Sequence, residues 1–245
     1  MDMLGLALAG ALAATAIGVL LLLAWGGLNI PRVSDAPPTL PEGAPRVSVV
    51  VAARDEERHL EPALRAWLAL DYPDYELIVV DDRSTDRTRE ILEAIGARDP
   101  RLHVARIDKL PDDWLGKNHA LHVGAQAASG ALLLFTDADV ILELDALSRA
   151  VRLMRAERAD HLAVAPDMVA PTWPLALTVN YFMMWFLLWL RPWRARDSRS
   201  RAFIGIDGWQ LVRQLGILIV IFEFRFWRGI VWRRRERQMV VLRRA

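Results

Sequence analysis

The chain has 245 residues, a formal net charge of +1, 53% hydrophobic residues and no cysteine. Disulfides and thiolate metal sites are therefore excluded, and the length suffices for one α/β domain plus membrane segments. The small net charge hides a split: residues 191–245 carry 14 Arg, no Lys and four acids, a net of +10, whereas residues 1–190 carry a net of −9.

Met3 to Ile30 contains no charged residue, a longer run than the roughly 20 residues needed to cross a bilayer as a helix. A cleaved signal peptide would want a basic start and a shorter apolar core, so the run is expected to be a retained transmembrane helix. The first basic residue after it, Arg32, places the following domain on the cytoplasmic face by the positive-inside rule. Pro31 to Pro45 holds five prolines and no periodicity, and reads as an extended linker.

From residue 46 the pattern changes. Arg46–Ala53 and Tyr75–Val80 are strands by their β-branched content. Leu60, Leu64, Trp67 and Leu68 recur at helical spacing between them. Ser84 or Thr85 is expected to cap a helix that turns Ile91, Leu92 and Ile95 inward. A short strand at 102–105, a loop at 108–116 and a helix at 117–128 lead to the apolar run Leu132–Phe135, a strand buried on both faces. A helix at 142–154 and a strand at 161–164 follow. This alternation predicts an α/β fold with a mostly parallel sheet flanked by helices. The dinucleotide fingerprint and the phosphate-loop signature are both absent, so neither device holds a nucleotide here.

Carboxylates stand at three strand ends: Asp55 and Glu56, Asp81 and Asp82, Asp137 and Asp139. Each set has an ordinary explanation as a helix start or a turn. Parallel neighbouring strands would bring all three sets to one edge, where ligands of open α/β sheets bind. There they would repel one another unless a cation or a donor-rich ligand sat among them. The i, i+2 pair Asp137 and Asp139 suits Mg²⁺ or Mn²⁺, which take oxygen ligands and leave positions for phosphates.

Four stretches occur in order: Val-Ser-Val-Val-Val-Ala-Ala-Arg-Asp-Glu-Glu (47–57), Ile-Val-Val-Asp-Asp-Arg-Ser-Thr-Asp (78–86), Gly-Lys-Asn-His-Ala-Leu (116–121) and Phe-Thr-Asp-Ala-Asp-Val (135–140). Together they resemble the signature of family 2 glycosyltransferases of the GT-A fold, over about residues 46–165. The leading apolar run and the wording around Lys117 are similar to membrane-bound members of the hopanoid-associated and carotenoid type. The resemblance implies a nucleotide-sugar donor, usually a UDP-sugar, with a lipid or lipid-linked acceptor. Asp55 and Glu56 would line the nucleotide pocket, Asp81 or Asp82 would bind the base, and Lys117 would reach the base or diphosphate. Asp137 and Asp139 would hold the metal on the diphosphate.

The resemblance weakens after Val140. The acid pair that serves many inverting relatives as base, and their Gln-x-x-Arg-Trp element, are not found, and the later acids stand singly. Asp207 is the nearest substitute for the base. The acceptor half therefore reads as missing or scrambled. This leaves two alternatives to an active transferase: an impaired remnant that binds nucleotide sugar, or, more distantly, a nucleotidyltransferase. The uncharged run Met168–Leu190 is expected to lie in the membrane interface or re-enter it, because crossing would carry the Arg191–Arg201 cluster to the wrong side. Residues 168–245 as a whole read as a membrane-associated, Arg-rich region, with Leu215–Phe222 as a hydrophobic tail too short to cross. Its interleaved Trp, Phe and Ile favour anionic lipid over nucleic acid as its partner.

Overall fold

The computed structural model describes residues 3–40, 42–112, 114–159, 161–165, 172–194, 218–221 and 239–243. Its first element is α1 (Met3–Leu28), whose apolar side chains face outward along its whole length. With no polar face to turn toward water, α1 is long and apolar enough to cross a membrane by length and composition.

The domain behind it is an α/β layer. β1 (Val47–Ala53), β2 (Tyr75–Asp82), β3 (Leu102–Ile107), β4 (Leu132–Asp137) and β5 (His161–Ala165) alternate with α2 (Leu60–Leu68), α3 (Thr88–Gly96), α4 (Gly116–Ala127) and α5 (Ala146–Glu157). β1 pairs in parallel with β2 on one side and β4 on the other, and β2 pairs with β3. These central strands are apolar in succession because both of their faces are covered. Val47, Val49, Val51, Leu77, Val79 and Leu134 pack on one face with α2, α3 and α5; Val50, Ile78, Val80 and Phe135 pack on the other with α4. The register sets Ala52 beside Asp137 and Ala53 beside Asp81, so the three strands end level with one another.

Several elements depart from the sequence expectation. The helix after β2 starts at Thr88, and Ser84 and Thr85 do not cap it. They bind Asp55 instead: Ser84 Oγ accepts from Asp55 N, and Thr85 N donates to Asp55 Oδ1. Asp86 takes the turn, accepting from Thr88 N at 2.9 Å. α5 begins at Ala146, four residues later than its apolar period suggested, because Ala138, Val140 and Leu142 are buried from an irregular segment that mimics a helix face.

The linker is not a loose tether. A 3₁₀ turn at Val33–Asp35 buries Val33, and Ala36 enters the same core. Three arginines one turn apart on α5 then grip the linker backbone. Arg149 Nη1 donates to the Ser34 and Ala36 carbonyls at 2.8 and 2.5 Å. Arg152 reaches Thr39 O, and Arg155 reaches Glu42 O and Gly43 O.

Beyond β5, α6 (Trp173–Leu190) is a second helix long and apolar enough to cross a membrane. Two stretches expected in the membrane-associated region are strands instead. β6 (Leu218–Ile221), cut from the run read as a hydrophobic tail, inserts between β4 and β5; β7 (Met239–Arg243) closes the edge antiparallel to β5. Lipid would leave the backbone groups of this four-residue apolar stretch unpaired, whereas the sheet supplies partners on both sides. The order is β3-β2-β1-β4-β6-β5-β7.

Candidate active site

The carboxyl edge of the central strands opens into a cavity of about 170 Å³ lined by Ala52, Ala53, Arg54, Glu56, Asp82, Gly116, Lys117, Asp137, Ala138 and Asp139. β1 and β2 each leave this edge through a non-glycine residue in the left-handed region, Asp55 at φ 54° and Arg83 at φ 59°. Such residues are uncommon, and they cluster where a site requires an abrupt change of chain direction.

Five of the expected side chains, Glu56, Asp82, Lys117, Asp137 and Asp139, meet in the cavity together with Arg54. Lys117 Nζ, at the first turn of α4, forms an ion pair with Asp137 Oδ1. Asp82 is held in a fork by its neighbour: Arg83 Nε donates to Oδ1 at 2.8 Å and an Arg83 Nη to Oδ2 at 3.1 Å. That hydrogen bonding pushes the Arg83 guanidinium above its already high value. Gly116 is required by this fork, since a Cβ there would lie 2.6 Å from Asp82 Oδ2 and 2.9 Å from Arg83 Nη2. Glu56 is fixed through its backbone, its N–H donating to Thr88 Oγ1 at 2.8 Å and its carbonyl accepting from His59 and Leu60 as α2 begins.

Asp55, which is exposed, and Asp81, which is buried, do not line the cavity. Asp55 Oδ1 ties the loop after β1 to the loop after β2 through Thr85. Asp81 is buried, and its Oδ1 accepts from Ser84 N at 3.1 Å. Asp207 lies outside the described residues. Arg54, Arg83 and Gly116 belong to the site without having been singled out. The available signal was their position inside the same motifs, beside the acids.

Among the described residues no three His, Asp or Glu side chains converge as a ready-made metal cage. The donor set fits a cation held by two aspartates and completed by phosphate oxygens, the usual habit of Mg²⁺ and a common one of Mn²⁺. Thr136 Oγ1, one residue before Asp137, and His119 Nδ1, two after Lys117, are among the buried side-chain atoms of this region that lack a hydrogen bond. His119 also meets the Trp114 ring edge-on at 5.2 Å, so the loop before Lys117 rests on α4.

The profile of glycosyl transferase family 2 matches residues 48–205. The chain belongs to glycosyl transferase family 2. It is 38% identical over 96 residues to a 4,4'-diaponeurosporenoate glycosyltransferase of Staphylococcus haemolyticus, covering 39% of this chain and 24% of that protein. It is 35% identical over 124 residues to a beta-monoglucosyldiacylglycerol synthase of Synechocystis, covering 48% and 26%. These matches thus span about a quarter of each relative's length. Among solved structures, the mannosyltransferase PcManGT of Pyrobaculum calidifontis, in complex with GDP-Man and Mn²⁺, is 27% identical with a TM-score of 0.53, over 73% of this chain and 49% of that one. The GT-A fold and the family 2 membership expected from the four motifs are thus established.

Proposed function

We propose that this family 2 chain is a membrane-anchored glycosyltransferase that moves a sugar from a nucleotide-diphosphate donor, a UDP-sugar first, to a lipid or lipid-linked acceptor. The observation that carries the reading is the meeting of Glu56, Asp82, Asp137 and Asp139 with Arg54 and Lys117 in one cavity at the carboxyl edge. Acids alone would repel a diphosphate. Acids interleaved with cations suit one that arrives with a divalent ion.

In this reading Glu56 and Asp82 face the nucleoside, with Asp55 and Asp81 holding their loops. Lys117 exchanges Asp137 for a diphosphate oxygen, and Asp137 and Asp139 hold Mg²⁺ or Mn²⁺. When bound, that ion neutralises charge growing on the leaving diphosphate. Arg54 and Lys117 add fixed positive charge beside it. Asp207 remains the candidate for the base that accepts the acceptor hydroxyl proton. The Mn²⁺-bound GDP-Man complex of the Pyrobaculum enzyme supports the donor and the metal, and the two relatives named for lipid products support the acceptor. α1 supplies the anchor, with the domain on the cytoplasmic face.

Titration calorimetry of UDP into the full chain in detergent tests the reading. Affinity is expected to be weak in EDTA and tighter in Mn²⁺; equal affinity in both would count against the metal role of Asp137 and Asp139.

A further inference from the structure

α6 poses a problem that its composition does not solve. It is 18 residues long, about 27 Å as a helix, and apolar on every side. Thr178 and Asn180 turn their polar groups back on their own backbone, Thr178 Oγ1 to Pro174 O and Asn180 Nδ2 to Ala176 O. Composition alone therefore favours a second crossing.

The contacts oppose one. Trp193, just past the carboxyl end of α6, packs on Gly26, just short of the carboxyl end of α1. A Cβ on Gly26 would collide with the Trp193 ring, and Gly26 is the buried residue of α1. The two helices thus meet end to end at the level where α1 joins the domain. An antiparallel hairpin would place the end of α6 at the far end of α1, which this contact forbids. A parallel crossing would start α6 on the far side of the bilayer. Ala165 closes a strand of the sheet, and the eight steps from it to Trp173 reach at most about 27 Å. That falls short of the roughly 30 Å hydrocarbon layer, and an extended chain there would leave its backbone groups unpaired.

The aromatic residues point the same way. Trp173, Tyr181, Trp185 and Trp189 are all exposed, spaced at multiples of four residues along α6. A crossing helix gathers Trp and Tyr at its two ends, where the headgroups are. Here they run the length of the helix. Exposed Arg191 and Arg194 follow at the end that meets α1.

We propose that α6 lies in the plane of the membrane, at the boundary of headgroups and acyl chains of the leaflet facing the catalytic domain, docked through Trp193 on the neck of α1 and held by anionic headgroups at Arg191 and Arg194. The inference rests on the membrane-anchored reading above, so the test separates the two.

The absence of cysteine makes single-cysteine variants clean reporters. Trp173→Cys, Tyr181→Cys and Trp189→Cys, each carrying an environment-sensitive fluorophore, are placed in full-length protein in phosphatidylcholine–phosphatidylglycerol vesicles. Lipids spin-labelled at graded depths then quench them. All three positions are expected within about one helix diameter, roughly 10 Å, of the headgroup boundary, with 173 and 189 on opposite sides of the helix because sixteen residues turn it through about 160°. Position 181 at the bilayer centre, with 173 and 189 at opposite surfaces, overturns the proposal. Leu12→Cys, midway along α1, serves as control: quenching at the bilayer centre upholds the anchor whatever α6 does, and its absence refutes the anchor and this proposal together. Arg191→Gln with Arg194→Gln should abolish the deeper insertion of position 189 that phosphatidylglycerol produces. An unchanged dependence on phosphatidylglycerol would overturn the headgroup assignment. Gly26→Leu should release position 189 and leave position 12 in place; no change at 189 would overturn the dock.

Discussion

β2 carries carboxylates at both ends, and the two ends behave differently. At its start Glu76 is buried and filled from its own surroundings. Its Oε1 accepts from Ser48 Oγ at 2.5 Å, Ser129 N at 2.7 Å and Ser129 Oγ at 2.9 Å, and its Oε2 meets Arg46 at 3.2 Å. Burial opposes its ionisation, but the hydrogen bonds from Ser48, Ser129 and Arg46 outweigh it and hold the carboxyl at about 2. At its finish Asp82 is as buried and lines the cavity, yet its fork comes from the partly exposed guanidinium of Arg83, and Asp137 in the same cavity is held by a lysine ammonium. Hydroxyls and backbone N–H groups fix a carboxylate for good. Cations on long stems hold one until something more highly charged arrives. Burial does not separate the structural acid from the acid of the site; the hydroxyls and backbone N–H that Glu76 has in addition to Arg46 do.

The comparison breaks most sharply at Asp139. Asp139→Asn should remove the Mn²⁺ dependence of UDP binding, a loss on the order of 100-fold if the ion contributes several kcal/mol, with the far-ultraviolet circular dichroism unchanged. Next is Gly116→Val, which drives a side chain into the Asp82–Arg83 fork. Overpacking of this kind costs about 1–3 kcal/mol, and calorimetry should show it as weaker UDP binding. Glu76→Gln probes the opposite end. Because the folded pKa is lowered, the stabilisation is complete above the ordinary glutamate range and fades as pH falls toward about 2. The variant should lose about 2 kcal/mol in urea melts at pH 7, the gap should close between pH 4.5 and pH 2, and UDP affinity should not move. Lys117→Met sharpens the contrast at finer scale. UDP should bind about tenfold more weakly, the loss of one partly exposed charge-assisted contact, while Mn²⁺ alone should bind more tightly because no ammonium competes for Asp137. A Lys117→Met chain that binds bare Mn²⁺ more weakly would mean the pair is structural, like Glu76.

Much of this was legible in the residues. Val47–Ala53 and Leu132–Asp137 read as buried strands because unbroken apolar runs leave no other place for their side chains. Asp82, Asp137, Asp139, Glu56 and Lys117 were read into the site from their motifs, and parallel order brought them together. What stayed hidden depends on geometry that has no local signature. The fork from Arg83 exists because Arg83 adopts a left-handed backbone, and Gly116 matters because of an acid more than thirty residues away. The side chains of Leu218–Ile221 gave no means of choosing between lipid and sheet, since they are apolar and suit either; only the partners of its backbone decide. The linker reads only as extended because its prolines deny it regular structure, while its order comes from arginines on a distant helix.

That grip has an evolutionary consequence. Arg149, Arg152 and Arg155 hold carbonyl oxygens, which every residue possesses. Exchanging Thr39 or Glu42 for another residue leaves those acceptors where they are. Adding or deleting one residue between Ala36 and Gly43 does not, because the three guanidiniums are spaced by the helix and cannot follow. The segment is built to drift in spelling while keeping its length.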